Sequence, residues 1–336
     1  MSPRVRSSIA AGAVATRSTG SPVQISAIVH TRDSEATLDR ALRSLRWVSE
    51  LIVVDMESGD GTREIATRYG ARILTASPAP RVDGIRNRYL TEASNEWVFV
   101  LDSDESVAAD AADAVGRLLD EHAGAFDAFA IPRFNRIGDH VLRGSGWYPD
   151  HQIRLFRRGT VEWSDTTHQP PRVVTGLNRL LHLTPPDCLH IHHRNYRDLR
   201  EFIERQAAYA INDRYPTDPA GFSFSDALAR AYGELAERRA DAVDGDLSQA
   251  LAMIMAWDQV IRGLLHWEGL EPRPPLDASA ALPIAVARLD PQVASRRSRV
   301  LRMRAQVRGR LNRHPKLFGA LREMRRRLRS VRGEGA

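Results

Sequence analysis

Four short apolar runs alternate with helix-type segments between residues 23 and 105. The runs "ISAIVH", "LIVVD", "ARILTA" and "EWVFVLD" are rich in β-branched residues, which is typical of buried strands. After a predicted cap at Asp33-Ser34, the first intervening segment carries Leu38, Leu42 and Leu45 at helical spacing. Strand–helix alternation with continuous apolar strands predicts an α/β fold whose mostly parallel sheet has helices on both faces.

Acidic residues follow two of these predicted strands. The second strand ends at Asp55, and the fourth runs directly into the segment Asp102-Ser103-Asp104-Glu105. Ligands of such sheets bind beyond the carboxyl ends of the strands, so these acids are expected at one edge. Two carboxylates one residue apart can share Mg²⁺ or Mn²⁺, although the same pattern also occurs in solvated turns. Their position after a buried strand favours the metal site.

After residue 128 the predicted strands become shorter and rich in arginine and aromatic residues. Such strands predict an antiparallel or mixed edge of the sheet. The segment "YRDLREFIERQAAYAINDRY" then predicts a long amphipathic helix. Two further helices, at about 222–240 and 246–268, form a C-terminal helical appendage. The predicted organisation is a disordered leader (1–22), the α/β domain (23–216), the appendage (217–295) and a basic tail (296–336).

The positive charge of the chain is concentrated in its tail. The whole chain of 336 residues has a net charge of +6, yet residues 296–332 contain 15 Lys or Arg and a single acid, Glu323. The remainder is therefore acidic. A basic amphipathic tail can bind an anionic membrane or nucleic acid, or simply be solvated. Because the acidic body carries no nucleic-acid motif, we expect an anionic membrane surface as the partner and consider nucleic acid unlikely.

Two further classes are disfavoured by composition. Cys188 is the single cysteine, which excludes a disulfide framework and a thiolate metal cage within one chain. No stretch of about 18 uncharged apolar residues is present, so no membrane-spanning helix is expected. "CLHIHHRNY" concentrates three histidines, one of which could contact a cation or a diphosphate.

Several segments resemble a known family. "SAIVHTRDSEATLDRALRSL", "VVDMESGDGT" and "GIRNRYLTEASNEWVFVLDSDE" resemble family 2 glycosyltransferases of the GT-A (Rossmann-like) fold. "GSGWYPDHQIRLFRRG", "THQPP" and "HRNYRDLREFIERQAAYA" resemble the bacterial branch of lipopolysaccharide core β-glucosyltransferases. The resemblance covers about residues 24–212 in the same order. The appendage and the tail are outside it.

The resemblance implies a binding site for a nucleoside-diphosphate sugar, most simply a UDP-sugar. By position, Asp55 would contact the base, and the "G-x-R-N" stretch would lie near the diphosphate. Asp102 would face the ribose and sugar, and Asp104 would bind Mg²⁺ or Mn²⁺ together with His193. The implied donor-binding residues are Asp55, Ser58, Asp60, Gly84, Arg86, Asn87 and Asp102, and the implied metal ligands are Asp102, Asp104 and His193.

The sequence also contains candidates for the general base and for the acceptor pocket. Relatives carry a His-Glu pair where this chain has His168-Gln169, and an amide cannot usefully accept the proton. Asp165 is therefore the predicted base, followed by His168 and Glu162. The segment that would line the acceptor cleft contains Trp147 and Tyr148, whose rings could stack on a sugar, and Asp150, which has either a binding or a structural role.

These observations predict an inverting, cation-dependent glycosyltransferase, peripheral on the cytoplasmic face of the cell membrane. It would transfer a sugar to a hydroxyl of a lipid-linked or cell-envelope glycan, as in lipopolysaccharide biosynthesis. Two alternatives remain open. One is a peptide or protein glycosyltransferase. The other is a sugar-nucleotide domain without turnover, whose tail binds nucleic acid or membrane, and Gln169 in place of a carboxylate is the feature that supports it.

Overall fold

A computed structural model describes residues 23–79, 82–164, 170–185, 188–212 and 223–273. The predicted leader and the basic tail lie outside the described residues. The strands are β1 (Val23–Thr31), β2 (Val48–Asp55), β3 (Arg72–Thr75), β4 (Trp97–Asp102), β5 (Glu105–Val107), β6 (Ala128–Ile137), β7 (His140–Val141), β8 (Asp150–Arg157), β9 (Val161–Glu162), β10 (Arg172–Val173), β11 (Leu180–His182) and β12 (Ile191–Tyr196). The helices are α1 (Leu38–Ser44), α2 (Thr62–Arg68), α3 (Asp83–Leu90), α4 (Ala111–His122), α5 (Leu199–Asn212), α6 (Phe224–Arg239) and α7 (Asp246–Glu268), with a 3₁₀ turn at Leu177–Arg179.

One ten-stranded sheet organises the described chain. Its main order is β3-β2-β1-β4-β8-β6-β12-β5, and β7 and β11 pair with β6. The first four strands are parallel, whereas β8 runs antiparallel to both β4 and β6. The predicted α/β class, a mostly parallel sheet with flanking helices and a mixed second half, is confirmed.

Alternating side chains of the strands build a core on each face of the sheet. On β1, Ile25 and Val29 pack on one side with Leu38 and Leu42 of α1, while Ile28 packs on the other side with residues of α3. This alternation is the period-two geometry of a strand, and both faces are apolar because helices cover both. The continuous apolar runs of the sequence therefore become the central strands.

The first helix is shorter than predicted. It begins at Leu38 and not behind the expected cap at Asp33-Ser34. Those two residues instead contact the loop after β2: Ser34 N donates to Thr62 Oγ1 (2.8 Å), and Asp33 Oδ1 accepts from Gly59 N (2.8 Å). Hydrogen bonds to residues distant in the sequence thus take the place of the predicted helix cap.

The appendage docks against the segment that precedes β8. Phe202 of α5 packs with Leu251 of α7, and Ser145 N donates to the carbonyl oxygen of Asp241 (2.7 Å) in the α6–α7 connection. Arg238 of α6 donates to the carbonyl oxygen of Ser145 (2.7 Å) and lies over the ring of Trp147. The predicted helices at 222–240 and 246–268 are both present. Within the described part of the chain, no helix has the length and apolar character needed to cross a bilayer.

Candidate functional site

A cleft of about 330 Å³ lies at the carboxyl edge of the parallel strands. The ends of β1, β2 and β4 meet there, because His30 pairs with Asp102 and Thr31 pairs with Asp55 in the sheet register. Strand order therefore places both predicted acidic groups at one edge. The cleft is lined by His30, Thr31, Arg32, Ser34, Met56, Val82, Asp102, Ser103, Asp104, His193, Asn195, Tyr196, Arg205 and Tyr209.

Asp102 is held between two arginines at the floor of this cleft. Arg86 contacts one carboxylate oxygen and Arg154 contacts the other, and these arginines are only 2% and 4% exposed. Burial by itself would raise the pKa of Asp102, but the charges of Arg154 and Arg86 outweigh it and hold that pKa well below its ordinary value. The carboxylate of Asp102 is therefore ionised and held in one orientation, in which it accepts hydrogen bonds. Its predicted role as a metal ligand stays a prediction.

Asp104 faces an imidazole. Its Oδ2 atom lies 3.2 Å from His193 Nε2, although the two residues are 89 positions apart. Burial would raise the pKa of Asp104, yet the hydrogen bond and charge that His193 offers hold it below its ordinary value. Two predicted metal residues that lie 89 positions apart in the sequence are therefore neighbours at the cleft.

The Asp104–His193 pair fits a divalent cation. Adjacent ligands of an octahedral ion lie roughly 3.0 Å apart, because each sits about 2.1 Å from the metal, and the observed separation is 3.2 Å. Among the described residues, no group of three or more His, Cys, Asp or Glu side chains is arranged to hold a metal. The described chain thus offers a cation two ligands, and phosphate oxygens and water suit the remaining coordination positions.

A buried charge network lies behind the two aspartates. Glu105, fully buried, accepts from Arg133 (2.8 Å), from Arg154 (3.0 Å) and from the backbone N–H of Asp102 (3.0 Å). Arg133 also donates to Asp150 (2.6 Å). The last acid of the "DSDE" segment therefore fixes the turn that presents the other two.

The predicted base-recognition loop is held by its own hydrogen bonds. Asp55, fully buried, pairs with Arg63 (2.9 Å) and accepts from Ser58 N (3.3 Å). Ser58 Oγ accepts from Asp33 N (2.9 Å), and Asp60 accepts from the backbone N–H groups of Glu35 and Thr62. These contacts shape the loop beside Met56 in the cleft wall, and the predicted donor contacts of these residues stay predictions.

The "G-x-R-N" stretch forms the start of α3. Gly84 lies in its first turn, and Arg86 reaches from the same helix to Asp102. Asn87 donates to the carbonyl oxygen of Trp163 and accepts from its N–H, both at 2.8 Å. In the structure Arg86 and Asn87 orient other groups of the site, and direct contact with a diphosphate stays a prediction.

The predicted acceptor residues are packed against protein. Trp147 packs on Phe202, and Tyr148 stacks on Phe134 with 4.7 Å between ring centroids and hydrogen-bonds His190 (2.9 Å). Asp150 accepts from Arg133, Asn135 and Gln152. This bonding gives Asp150 a structural role, which was one of its two predicted roles.

The structure describes one of the three predicted catalytic residues. Glu162 is exposed and pairs with Arg172 across β9 and β10. Asp165 and His168 lie outside the described residues, so their role remains a prediction from sequence. The described chain stops at Ser164, directly after the Trp163 backbone that Asn87 holds.

Sequence reasoning missed several residues of the cleft. His30 is 3% exposed, lines the cleft, and has no hydrogen-bond partner for either ring nitrogen within the described structure. Arg205 and Tyr209 of α5 also line the cleft. Two signals in the sequence were available, because polar groups in buried strands need a partner. They were the imidazole of His30 inside the apolar run "ISAIVH" and, for the support of Asp102, Arg154 inside "HQIRLFRR".

A larger cavity, of about 830 Å³, lies between α4 and residues 181–192. Phe134 and His192 line it, whereas the next residues along both strands, Asn135 and His193, are the hydrogen-bonded pair beside Asp104. Successive strand residues point to opposite faces, so the two cavities are on opposite sides of the sheet.

Comparison with known proteins identifies the segment that contributes the predicted acidic residues at the cleft. Residues 26–171 match the model of Glycosyl transferase family 2. This segment is a family 2 glycosyltransferase domain. The match spans β1 to the residue before β10 and includes Asp55, Asp102 and Asp104. With this match, the GT-A expectation for the α/β fold is confirmed.

Relatives of the family 2 domain are similar over part of their length. The chain is 36% identical over 99 residues to the TPR repeat-containing protein Synpcc7942_0270 of Synechococcus elongatus, covering 29% of this chain and 25% of that one. It is 30% identical over 144 residues to the lipopolysaccharide core biosynthesis glycosyltransferase LpsC of Rhizobium meliloti, covering 40% and 51%. The chain therefore spans about a quarter to a half of these relatives.

A similar solved structure is more distant in sequence than these relatives. S. aureus TarS 1-349 in complex with UDP-GlcNAc is 16% identical, covers 82% of this chain and 92% of its own, and superposes with a TM-score of 0.41. A likeness at this level transfers no property to the family 2 domain.

Proposed function

We propose that this protein is an inverting, cation-dependent glycosyltransferase. It takes a sugar from a nucleoside-diphosphate donor, most simply a UDP-sugar, and transfers it to a hydroxyl of a lipid-linked or cell-envelope glycan. The observation that carries the proposal is the meeting of Asp102, Asp104 and His193 in one cleft of a family 2 domain.

The donor is held by groups that the fold has already oriented. Asp102 accepts hydrogen bonds from the ribose and sugar hydroxyls, because Arg86 and Arg154 fix its carboxylate and keep it ionised. Fixed acceptors of this kind need no reorganisation when the donor enters. Arg205 also lines the cleft, and its guanidinium, which pairs with Glu201 (2.8 Å), supplies a positive charge that suits a diphosphate.

Asp104 and His193 hold Mg²⁺ or Mn²⁺. When bound, the cation neutralises the charge that develops on the departing nucleoside diphosphate. The protein's part is to present one carboxylate oxygen and one imidazole nitrogen on the same side of the cleft.

The acceptor hydroxyl loses its proton to a base in the segment after Trp163. Asp165 is the proposed base, with His168 and Glu162 as the next choices. The two hydrogen bonds from Asn87 to the Trp163 backbone support this assignment, because they anchor the start of that segment beside α3. A single displacement of the diphosphate then inverts the anomeric centre.

The envelope-glycan acceptor is supported by the similarity to LpsC, whose name assigns it to lipopolysaccharide core biosynthesis. A peptide or protein acceptor is the alternative. Comparing glycans and proteins from cells with and without the gene by mass spectrometry distinguishes them.

The direct test measures release of nucleoside diphosphate from a panel of sugar donors with Mn²⁺, with Mg²⁺ and with chelator. Turnover should require the cation and fall at least about 100-fold in Asp104→Asn, which removes one of two protein ligands. Asp113→Asn, at an exposed position of α4, is the control. Full turnover in chelator would contradict the cation dependence, and no turnover with any donor would contradict the enzyme.

We also infer that the protein binds an anionic membrane surface from the cytoplasmic side. Met253, Trp257 and Leu264 lie along one side of α7 and are 64%, 58% and 41% exposed. The chain continues from α7 towards the arginine-rich tail, whose charge suits anionic lipid at about 1 kcal/mol for each residue near the surface.

Sedimentation with vesicles tests this association. The full chain should bind phosphatidylglycerol vesicles in a salt-dependent manner, bind neutral phosphatidylcholine vesicles weakly, and lose affinity when Met253 and Trp257 are replaced by serine. Equal binding to both kinds of vesicle, or none, would contradict it.

A further inference from the structure

Asn135 lies beside His193 in the sheet. The two residues are register partners on the parallel strands β6 and β12. His193 Nδ1 is 2.9 Å from Asn135 Oδ1, and Asn135 is only 3% exposed. Asn135 is therefore the group that contacts His193 on the side away from Asp104.

The orientation of the Asn135 amide is determined by its other partners. Its Nδ2 atom donates to the carbonyl oxygen of Trp147 (2.9 Å) and to Asp150 Oδ2 (3.0 Å). Both partners are acceptors, so the amide nitrogen must face them and the amide oxygen must face His193. Reversing the amide would place its oxygen against a carbonyl and a carboxylate.

The amide oxygen in turn determines where the imidazole carries its hydrogen. An amide oxygen can only accept, so Nδ1 of His193 must be the donor. In the neutral ring the other nitrogen, Nε2, then presents a lone pair, and it faces Asp104 Oδ2 at 3.2 Å. Two acceptors at this distance repel each other unless a hydrogen on Nε2 or a bound cation lies between them.

We propose that Asn135 is a positioning residue that keeps the hydrogen of His193 on Nδ1, so that Nε2 and Asp104 face a cation as a preformed pair of ligands. This rests on the cation dependence of the proposed function. Metal-binding histidines are commonly oriented by a hydrogen bond to the nitrogen that does not bind the metal. Here that bond comes from an amide.

Asn135 is itself anchored to the donor side of the cleft. Asp150, which accepts from its amide, also accepts from Arg133 Nε (2.9 Å) and Nη2 (2.6 Å). Arg133 also pairs with Glu105, and Arg154 pairs with both Glu105 and Asp102. A chain of polar contacts from Asp104 through His193 and Asn135 thus leads back to Asp102, and both aspartates of the "DSD" turn share one buried support.

The test measures Mn²⁺ binding to the full chain without any donor, by the electron paramagnetic resonance signal of free Mn²⁺. Asn135→Ala should weaken Mn²⁺ binding by roughly 10–100-fold. Asn95→Ala is the matched control, because its amide also makes several hydrogen bonds, to Ser26 and Ser49, but on the N-terminal side of β4. The control should bind Mn²⁺ like the wild type.

A spectroscopic measurement separates positioning from a general loss of structure. In metal-free protein labelled with ¹⁵N-histidine and held in alkaline buffer, the His193 ring, assigned with a His193→Gln variant, should carry its hydrogen on Nδ1. In Asn135→Ala the hydrogen should shift towards Nε2, where Asp104 can accept it. The wild-type spectrum needs no variant, so the proposal stays testable even if Asn135→Ala does not fold.

Each other outcome overturns the proposal. It fails if wild-type His193 carries its hydrogen on Nε2, if Asn135→Ala binds Mn²⁺ as the wild type does, or if binding weakens while the tautomer is unchanged. A wild type that binds no Mn²⁺ overturns it together with the cation dependence. Sugar transfer, measured separately, decides whether the protein is a glycosyltransferase at all.

Discussion

The side-chain amide of Asn87 holds the backbone of Trp163 with two hydrogen bonds of 2.8 Å, across 76 residues of sequence. This contact joins α3, which also carries Arg86, to the segment that leads into the predicted base Asp165. The predicted donor-binding stretch and the segment before the predicted base are thereby tied to one helix.

Replacing Asn87 with alanine should lower the free energy of unfolding by about 1–3 kcal/mol. The change leaves both backbone groups of Trp163 without their partner, and an unpaired polar group beside the core is costly. Urea denaturation measures it, with Glu64→Gln at an exposed position of α2 as the control. If the two variants are equally stable, the Asn87 contact contributes nothing.

Arg154→Met should destabilise the fold by roughly 3–5 kcal/mol, because it leaves Asp102 and the fully buried Glu105 without a shared counter-charge. The matched control is Arg72→Met. Its pair with Glu92 is 3.0 Å long but exposed, so less than about 1 kcal/mol is expected. Guanidinium denaturation of the two variants should separate them clearly, and similar losses would show that burial of the Arg154 pairs has no energetic consequence.

Gly144→Ala should disturb the docking of the appendage. A Cβ atom at this position would lie 2.2 Å from the carbonyl oxygen of Asp241 and 2.7 Å from a methyl group of Val243. A backbone atom cannot rotate away, so a loss of about 1–3 kcal/mol is expected. Gly124→Ala is the control, because its Cβ would meet no atom within 4 Å. Equal melting temperatures for both variants would show that the α6–α7 connection does not pack closely here.

Stability should fall in mild acid because of His30. Burial, and then the charge of Arg86, lower the pKa of His30 from 6.5 to about 3. Above pH 6.5 the ring is neutral in both the folded and the unfolded chain. Between pH 6.5 and 3 the unfolded chain binds a proton that the folded chain does not, which amounts to about 2 kcal/mol at pH 5.

The measurement compares wild type and His30→Leu by urea denaturation in chelator at pH 8 and pH 5. The wild type should lose about 2 kcal/mol more than the variant over this interval. A pH dependence that the substitution leaves unchanged would mean that His30 accepts a proton in the folded protein.

Local patterns were sufficient to predict the four strands in the first half of the parallel sheet. Continuous β-branched runs produced β1 to β4, and the helices at 224–239 and 246–268 lie where their periodicity predicted them. The cap at Asp33-Ser34 was wrong, since those residues hydrogen-bond the backbone of Gly59 and the side chain of Thr62 at the start of α2. Such a competition between local and distant partners is invisible in a short window of sequence.

The candidate site likewise combines features that the sequence predicted with contacts that depend on the tertiary structure. The sequence alone placed Asp55, Asp102 and Asp104 after the carboxyl ends of two strands of a parallel sheet, because chain direction and apolar periodicity are local properties. Only the tertiary structure decided that Arg154 contacts Asp102 across 52 residues, that His193 reaches Asp104 across 89, and that Asn135 contacts His193. Those partners depend on which distant strands become neighbours, and long-range packing sets that order.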